Sequence, residues 1–295
     1  LSLNSDKYLK KGDEIRILCT ARSAQESDLQ SSIKLLTSWG YRVSLGETIN
    51  KKHHQFGGTN EERISDFQNA IDDPNVAAIW IARGGYGSVQ IIDQLHFTRD
   101  ILLLGYSDIT LLHAKLNNAG MKSIHSWMPL ELKHKTPESI ESLQQILTGT
   151  EQEISIPFGI PGEEQVIKAP IVGGNLSIIY SLLGSEDSLN TKDCILFIEE
   201  IDEYLYHVER MMYSLKRAGL FNKIKALLVG GMTQMNDHEI PFGKTAKEII
   251  MDIMSPFDIP ILFDVPAGHV KDHRCIPLQK PVELIIGAQN SKLIY

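Results

Sequence analysis

Four short stretches carry residue types that could do chemistry. The first is ILLLGYSDIT, residues 101 to 110, where an apolar run ends in Gly105 and passes through Ser107 and Asp108 into an apolar pattern of helical spacing. A serine on a sharp strand-to-helix turn presents its hydroxyl at the top of a sheet, with the next backbone N–H free to face an oxyanion. The hydrolase elbow reads G-x-S-x-G, and Ile109 stands in its last position here, so the match is incomplete. Ser and Asp are equally the residues that cap helices, and on this stretch alone the cap has the stronger claim for Ser107 and Asp108.

The second stretch is ARGGYGSV, residues 82 to 89, directly after the apolar run VAAIWI. Paired glycines at a strand end let the backbone turn and bring its N–H groups close to a ligand. The stretch matches neither the dinucleotide fingerprint nor the phosphate loop and lacks the lysine of the latter. Two readings stand: an oxyanion or carboxylate site built on the Gly85 N–H, or a plain turn. The third stretch, LFIEEIDEY at 196 to 204, ends an apolar run in Glu199, Glu200, Asp202 and Glu203. Strand periodicity sends Glu199 and Glu200 to opposite faces, which argues for one carboxylate facing a cleft rather than a cation site. The remaining acids are expected as solvated charges or as favourable charges at the start of the next helix.

The fourth stretch, VPAGHVKDHRCIPL at 265 to 278, holds His269 after a glycine. His269 and His273 are four apart, but the Gly and Pro around them disfavour a helix and H-E-x-x-H is absent, so no metal site is expected. A loop histidine becomes general-base material when a nucleophile and an acid are near it. Ser107, Glu199 and His269 supply nucleophile, orienting acid and base, roles that can occur in any chain order because folding brings them together.

The elements that must position these residues are legible in the patterning. From EIRILC through VAAIWI to ILLLGYS, short β-rich runs alternate with helix-length amphipathic segments, the signature of βαβ units and a mainly parallel, doubly wound sheet. In such a layer ligands bind at the carboxyl ends of the strands. After PESIESLQQILTG the texture turns to Gly, Pro and β-formers, and then a smaller, mixed α/β half begins. We place an N-terminal domain carrying the serine at residues 1–135, a linker region at 136–165, and a β-rich C-terminal domain supplying Glu and His at 166–295.

Composition narrows the function classes. The chain has 295 residues, a net charge of -8, and 42% hydrophobic and 22% charged residues, ordinary values for a globular protein. An acidic balance argues against a nucleic-acid backbone as partner. Three scattered cysteines, Cys19, Cys194 and Cys275, suggest neither a disulfide framework nor a zinc site and are expected as buried thiols. No segment reaches the ~20 apolar residues of a membrane span, and LSLNSDKYLKKGDEI has no signal-type apolar core, so a cytoplasmic protein is expected.

Taken together, FGGTNEERISDFQNAIDDPNVAAIWIARGGYGS, GYSDIT, GGNLSIIYSLLGS, LFIEEIDEYLYHVERM and AGH closely resemble, in order and spacing, the LD-carboxypeptidase family, the S66 serine peptidases, which also includes microcin C immunity peptidases. The resemblance covers roughly residues 12 to 290. It implies a flavodoxin-like N-terminal domain, a smaller β-rich C-terminal domain, and an active site between them. By position it implies a triad of Ser107, Glu199 and His269, with the backbone N–H groups of Gly85 and Asp108 as oxyanion donors and no metal or cofactor. The implied substrate is a murein tetrapeptide losing its terminal D-alanine, or, in the immunity branch, a peptidyl-nucleotide antibiotic.

Two departures from the family pattern fall at the sheet end that should border substrate. LCTARSA puts Arg22 where a proline-bearing turn is usual, and HSWMP puts Ser126 and Trp127 into a common H-G-P-M. Tyr86, Trp127 and Asn175 are the candidate substrate contacts. The expected partners are a small peptide and a second copy of the chain as a homodimer, with no nucleic acid and no membrane.

Overall fold

The computed structural model describes residues 8–295, so the first seven residues of the N-terminal stretch read above lie outside the described residues. In chain order the elements are β1 (Glu14–Leu18), α1 (Glu26–Ser38), β2 (Arg42–Leu45), α2 (Asn60–Asp72), β3 (Val76–Ile81), β4 (Leu102–Gly105), α3 (Thr110–Asn118), β5 (Ser123–His125), α4 (Pro137–Thr148) and β6 (Glu153–Ile156). There follow β7 (Gln165–Asn175), α5 (Leu176–Ser181), β8 (Ile195–Ile201), α6 (Leu205–Arg217), β9 (Ala226–Thr233), α7 (Ala246–Met254), β10 (Ile261–Leu262), β11 (Ile276–Leu278), β12 (Pro281–Ile286) and β13 (Ser291–Ile294).

The first sheet has the order β11-β5-β4-β3-β1-β2, and β1 to β5 all run parallel. Without β11 this is the 2-1-3-4-5 order of a flavodoxin-like doubly wound layer. Strands covered on both faces must be apolar on both, which is why VAAIWI reads as a continuous run rather than an alternating one. Ile79 and Ile81 of β3 pack with Phe67 of α2 and Leu112 of α3, while Ala78 and Trp80 face the layer of Leu29 from α1 and Leu143 from α4. α4 lies in the stretch assigned to a linker. Thr136 caps it, Pro137 opens it, and Gly149, at a φ of 74°, ends it.

The second sheet, β10-β9-β8-β7-β12-β13-β6, is mixed. β7 joins its halves, because Gln165 to Pro170 pair antiparallel with β12 while Ile171 to Asn175 pair parallel with β8. The two sheets trade edge strands: β6, from the stretch expected as linker, pairs with β13, and β11, late in the chain, pairs antiparallel with β5.

One apolar core runs between the sheets, from Ile109 and Leu112 of the first layer to Val172, Leu196 and Met211 of the second. The halves meet where Gly174 abuts the start of α3. A Cβ there would come within 2.5 Å of Thr110 Oγ1, so the close approach requires glycine, and Thr110 Oγ1 instead accepts the Asn175 N–H at 2.9 Å. All three cysteines are buried and free, and no helix among the described residues is long and apolar enough to cross a membrane.

Candidate active site

β4 is an interior strand, flanked by β3 and β5, and its carboxyl end delivers Ser107 to the top of the sheet. Tyr106 is extended, then Ser107 takes a φ of 62° at the head of a short 3-10 helix, Ser107–Ile109, that leads into α3. A non-glycine residue held in the left-handed region costs on the order of 1–3 kcal/mol and persists only where its surroundings impose it, commonly at functional sites. Those surroundings include His113 of α3. Its Nε2 bonds the Gly105 carbonyl at 2.9 Å and its Nδ1 the Ser123 hydroxyl at 2.8 Å, which pins the strand end under the turn.

Asp108 does not cap α3, contrary to the expectation from sequence. Its buried carboxylate accepts the Ser88 N–H at 2.9 Å and so ties the glycine loop to the serine turn, while α3 starts without a side-chain cap because the 3-10 lead-in turns Asp108 sideways. Burial raises the Asp108 carboxyl above its usual range, with the Ser88 contacts and the Arg63 charge opposing. Arg63, fully buried on α2, holds the same loop by donating to the Gly87 carbonyl at 3.0 Å and to Gln90 Oε1 at 2.7 Å. The Gly85 N–H has no hydrogen-bond partner among the described residues. The Asp108 N–H belongs to the first turn of its helix, where donors have no intrahelical acceptor.

Glu199, wholly buried near the end of β8, meets His269 from the loop after β10. Its Oε2 accepts His269 Nδ1–H at 2.7 Å and the His269 backbone N–H at 3.1 Å. Gly268 allows this approach: its φ is 98°, and a Cβ there would lie 2.6 Å from Glu199 Oε2. Burial alone would lower the His269 pKa, but the hydrogen bond and charge of Glu199, helped by Glu131 and Glu200, outweigh it and hold the imidazole above its ordinary value. With Nδ1 committed to Glu199, Nε2 is the nitrogen left to act as a base.

Ser107 and His269 line one cleft of about 420 Å³, together with Gly85 and Glu131. The Ser107 hydroxyl has no hydrogen-bond partner among the described residues, so the two side chains share the cleft without being bonded to each other. Catalytic bonds are often loose before substrate arrives. A larger cavity, about 600 Å³, opens beyond β9 and β10 beside the start of α7, but none of the three residues lines it.

Two expected substrate contacts lie elsewhere. Trp127 is fully buried; its Nε1 donates to the Ser139 carbonyl at 3.1 Å and its ring packs edge-on to Trp80 at 5.1 Å. It is a core residue, and the residues after it, Met128, Leu130 and Glu131, are the ones that reach the cleft. Asn175 is also buried, its amide donating to Glu199 Oε1 at 3.2 Å and Glu200 Oε1 at 2.9 Å while its oxygen caps α5. It steadies the acid rather than meeting a ligand. Tyr86, beside Gly85, is 52% exposed and stays a candidate.

Glu200 is buried too, not solvated. Burial raises its pKa, and a β-bulge between Ile198 and Glu200 lets its carboxylate accept the Ser177 N–H at 2.7 Å. Glu203 lies just before Tyr204, the N-cap of α6, rather than in its first turn, and its Oε2 meets His207 Nδ1 at 2.7 Å.

Several residues of the site carried no signal in the sequence. Tyr106 sends its hydroxyl to Glu131 Oε1 at 2.5 Å and lays its ring 4.7 Å from that of His269. Lys135 donates to the Val270 carbonyl at 3.0 Å, holding the loop next to His269 against the first domain. His273 bonds His125 at 3.2 Å in a wholly buried pair, and burial keeps both well below the usual histidine range and neutral.

A doubly wound sheet set against a mixed one matches proteins already described. The family model of the LD-carboxypeptidase N-terminal domain matches residues 15–126 and that of the LD-carboxypeptidase C-terminal domain matches residues 168–284; the chain belongs to the LD-carboxypeptidase family and is a peptidase. A murein tetrapeptide carboxypeptidase of Pseudomonas aeruginosa is 25% identical over 286 residues, covering 92% of each chain. The crystal structure of a muramoyltetrapeptide carboxypeptidase from Oxalobacter formigenes superposes with a TM-score of 0.86 at 25% identity, covering 95% of this chain and 98% of that one. An MccF-like protein from Bacillus anthracis shares the fold at a TM-score of 0.81 and 23% identity, over 97% of both chains.

Proposed function

We propose that this peptidase is a serine carboxypeptidase that hydrolyses the L,D bond before the terminal D-alanine of murein tetrapeptides, in cell-wall recycling. The observation that carries the reading is the opening of a strained Ser107 and a Glu199-bound His269 onto one cleft. The substrate class follows from the names borne by the Pseudomonas and Oxalobacter relatives.

In this reading the Ser107 hydroxyl attacks the scissile carbonyl as His269 Nε2 takes its proton. Glu199 keeps the Nδ1–H and offsets the imidazolium charge. The Gly85 and Asp108 N–H groups receive the oxyanion, and the Asp108–Ser88 bond holds those two donors in one frame. His269 then returns the proton to the departing amine, and water, activated by the same base, hydrolyses the acyl-serine. Offering the purified protein a murein tetrapeptide beside an aminoacyl-sulfamoyl-adenylate tests the substrate: free D-alanine is the expected product. Cleavage of the adenylate alone would replace this reading with the immunity type.

The raised pKa of His269 fixes a pH dependence. The base works only when neutral, so kcat/KM should rise with pH through an acid limb whose midpoint lies above the ordinary histidine value of about 6.5. A pH–rate profile with its midpoint below that value would contradict the assignment of His269 as base.

A further inference from the structure

The cleft holds two arginines that no carboxylate among the described residues neutralises. Arg22, in the turn after β1, has no ion pair or side-chain hydrogen bond among the described residues, and Arg83, at the end of β3, makes only a long 3.4 Å contact to the Ser23 carbonyl. Several guanidinium groups elsewhere are engaged. Arg16 pairs with Glu14 and Asp73, Arg63 and Arg99 hold backbone carbonyls, and Arg274 pairs with Asp272. In a chain with net charge -8, two unpaired guanidinium groups in one cleft are poised for an anion from outside. The acid that shares the cleft, Glu131, is occupied by the Tyr106 hydroxyl and by Lys135 at 3.7 Å.

Their placement relative to the glycine loop says which anion. Gly84, directly after Arg83, lies against the serine, since a Cβ on it would be 3.5 Å from Ser107 Oγ. The Arg22 side chain crosses Gly85 so closely that a Cβ there would be 2.8 Å from its Cδ and Nε. Both cations therefore flank the loop that carries the oxyanion donor. When the bond cut is the last of a peptide, the leaving residue's carboxylate is only one residue beyond the scissile carbonyl, about 3.8 Å away in Cα spacing. An internal peptide bond would place a neutral amide at the same point.

We propose that Arg22 and Arg83 clamp the free α-carboxylate of the leaving residue and so restrict the enzyme to the chain terminus. This rests on the reading of Ser107 as nucleophile, and a binding measurement separates the two. In the Ser107→Ala variant, calorimetry compares a murein tetrapeptide with the same peptide ending in a carboxamide. The acid should bind about tenfold to a hundredfold more tightly, the range of a charge-assisted hydrogen bond. Adding Arg22→Gln or Arg83→Gln should cut that preference by about tenfold, leaving carboxamide binding unchanged, while Arg22→Lys retains part of it because the charge remains. No preference in the Ser107→Ala parent, or a preference that survives both glutamine variants, overturns the clamp. Continued D-alanine release by Ser107→Ala would instead overturn the nucleophile assignment and leave the binding result standing.

Discussion

Replacing Ser107 with alanine is expected to lower kcat/KM for D-alanine release by about 10⁴-fold or more, leaving the residual rate that binding and oxyanion donors alone supply. The buried serines nearest the turn are already engaged. Ser88 is buried beneath the glycine loop, bonded to Thr20, and Ser126 is buried with its hydroxyl on the Trp127 carbonyl. The fold should survive, because the Ser107 hydroxyl bonds no described residue and alanine keeps the same backbone. Ser107→Gly sharpens the test. At a φ of 62° glycine relieves the strain of the turn, so this variant should be as inactive as alanine yet more stable by on the order of 1 kcal/mol, read from urea denaturation. A variant at this position that kept wild-type turnover would remove Ser107 from the chemistry.

Glu199→Gln is expected to cost about 10³–10⁴-fold in kcat, a large loss that still spares the nucleophile and the oxyanion donors. One carboxylate oxygen now serves two donors of His269, its Nδ1–H and its backbone N–H, and the other oxygen takes the Asn175 amide. Glutamine has one acceptor oxygen, so either the tautomer of His269 or the Asn175 contact is lost. The charge that helps hold the His269 pKa up is lost as well, and the acid limb of the residual kcat/KM should move to lower pH. A glutamine variant with reduced rate but an unmoved limb would show that Glu199 does not set the protonation of His269.

Much of this arrangement is written locally. Parallel strands buried on both faces must be continuous apolar runs, so VAAIWI and ILLLG declare themselves, and a serine, a glycine pair, a strand-end acid and a Gly-His turn sit at their carboxyl ends, where such folds bind ligands. What failed were inferences that assumed a polar or aromatic residue near a strand end must face the ligand or the solvent. Trp127 and Asn175 lie next to residues that do face the cleft or the Glu199–His269 pair, yet one fills the core against Trp80 and the other braces two buried acids. Asp108 has the composition of a helix cap, but a loop twenty residues earlier presents a buried N–H that competes for it.

The sequence by itself determined the doubly wound layer, the residue types of the site and their order, because strand and helix periodicity and turn chemistry act over a few neighbours. Only the tertiary structure decided which of those residues touch. Glu199 meets His269 across 70 positions because Gly268 lets a loop close onto β8, and Lys135 reaches the Val270 carbonyl across 135 because the two sheets share one core. Contacts of that kind depend on where whole elements pack. No local pattern encodes that a guanidinium will be left without an acidic partner: among the described residues Arg22 and Arg83 have none, because the acid in the folded cleft, Glu131, is held by Tyr106 and Lys135.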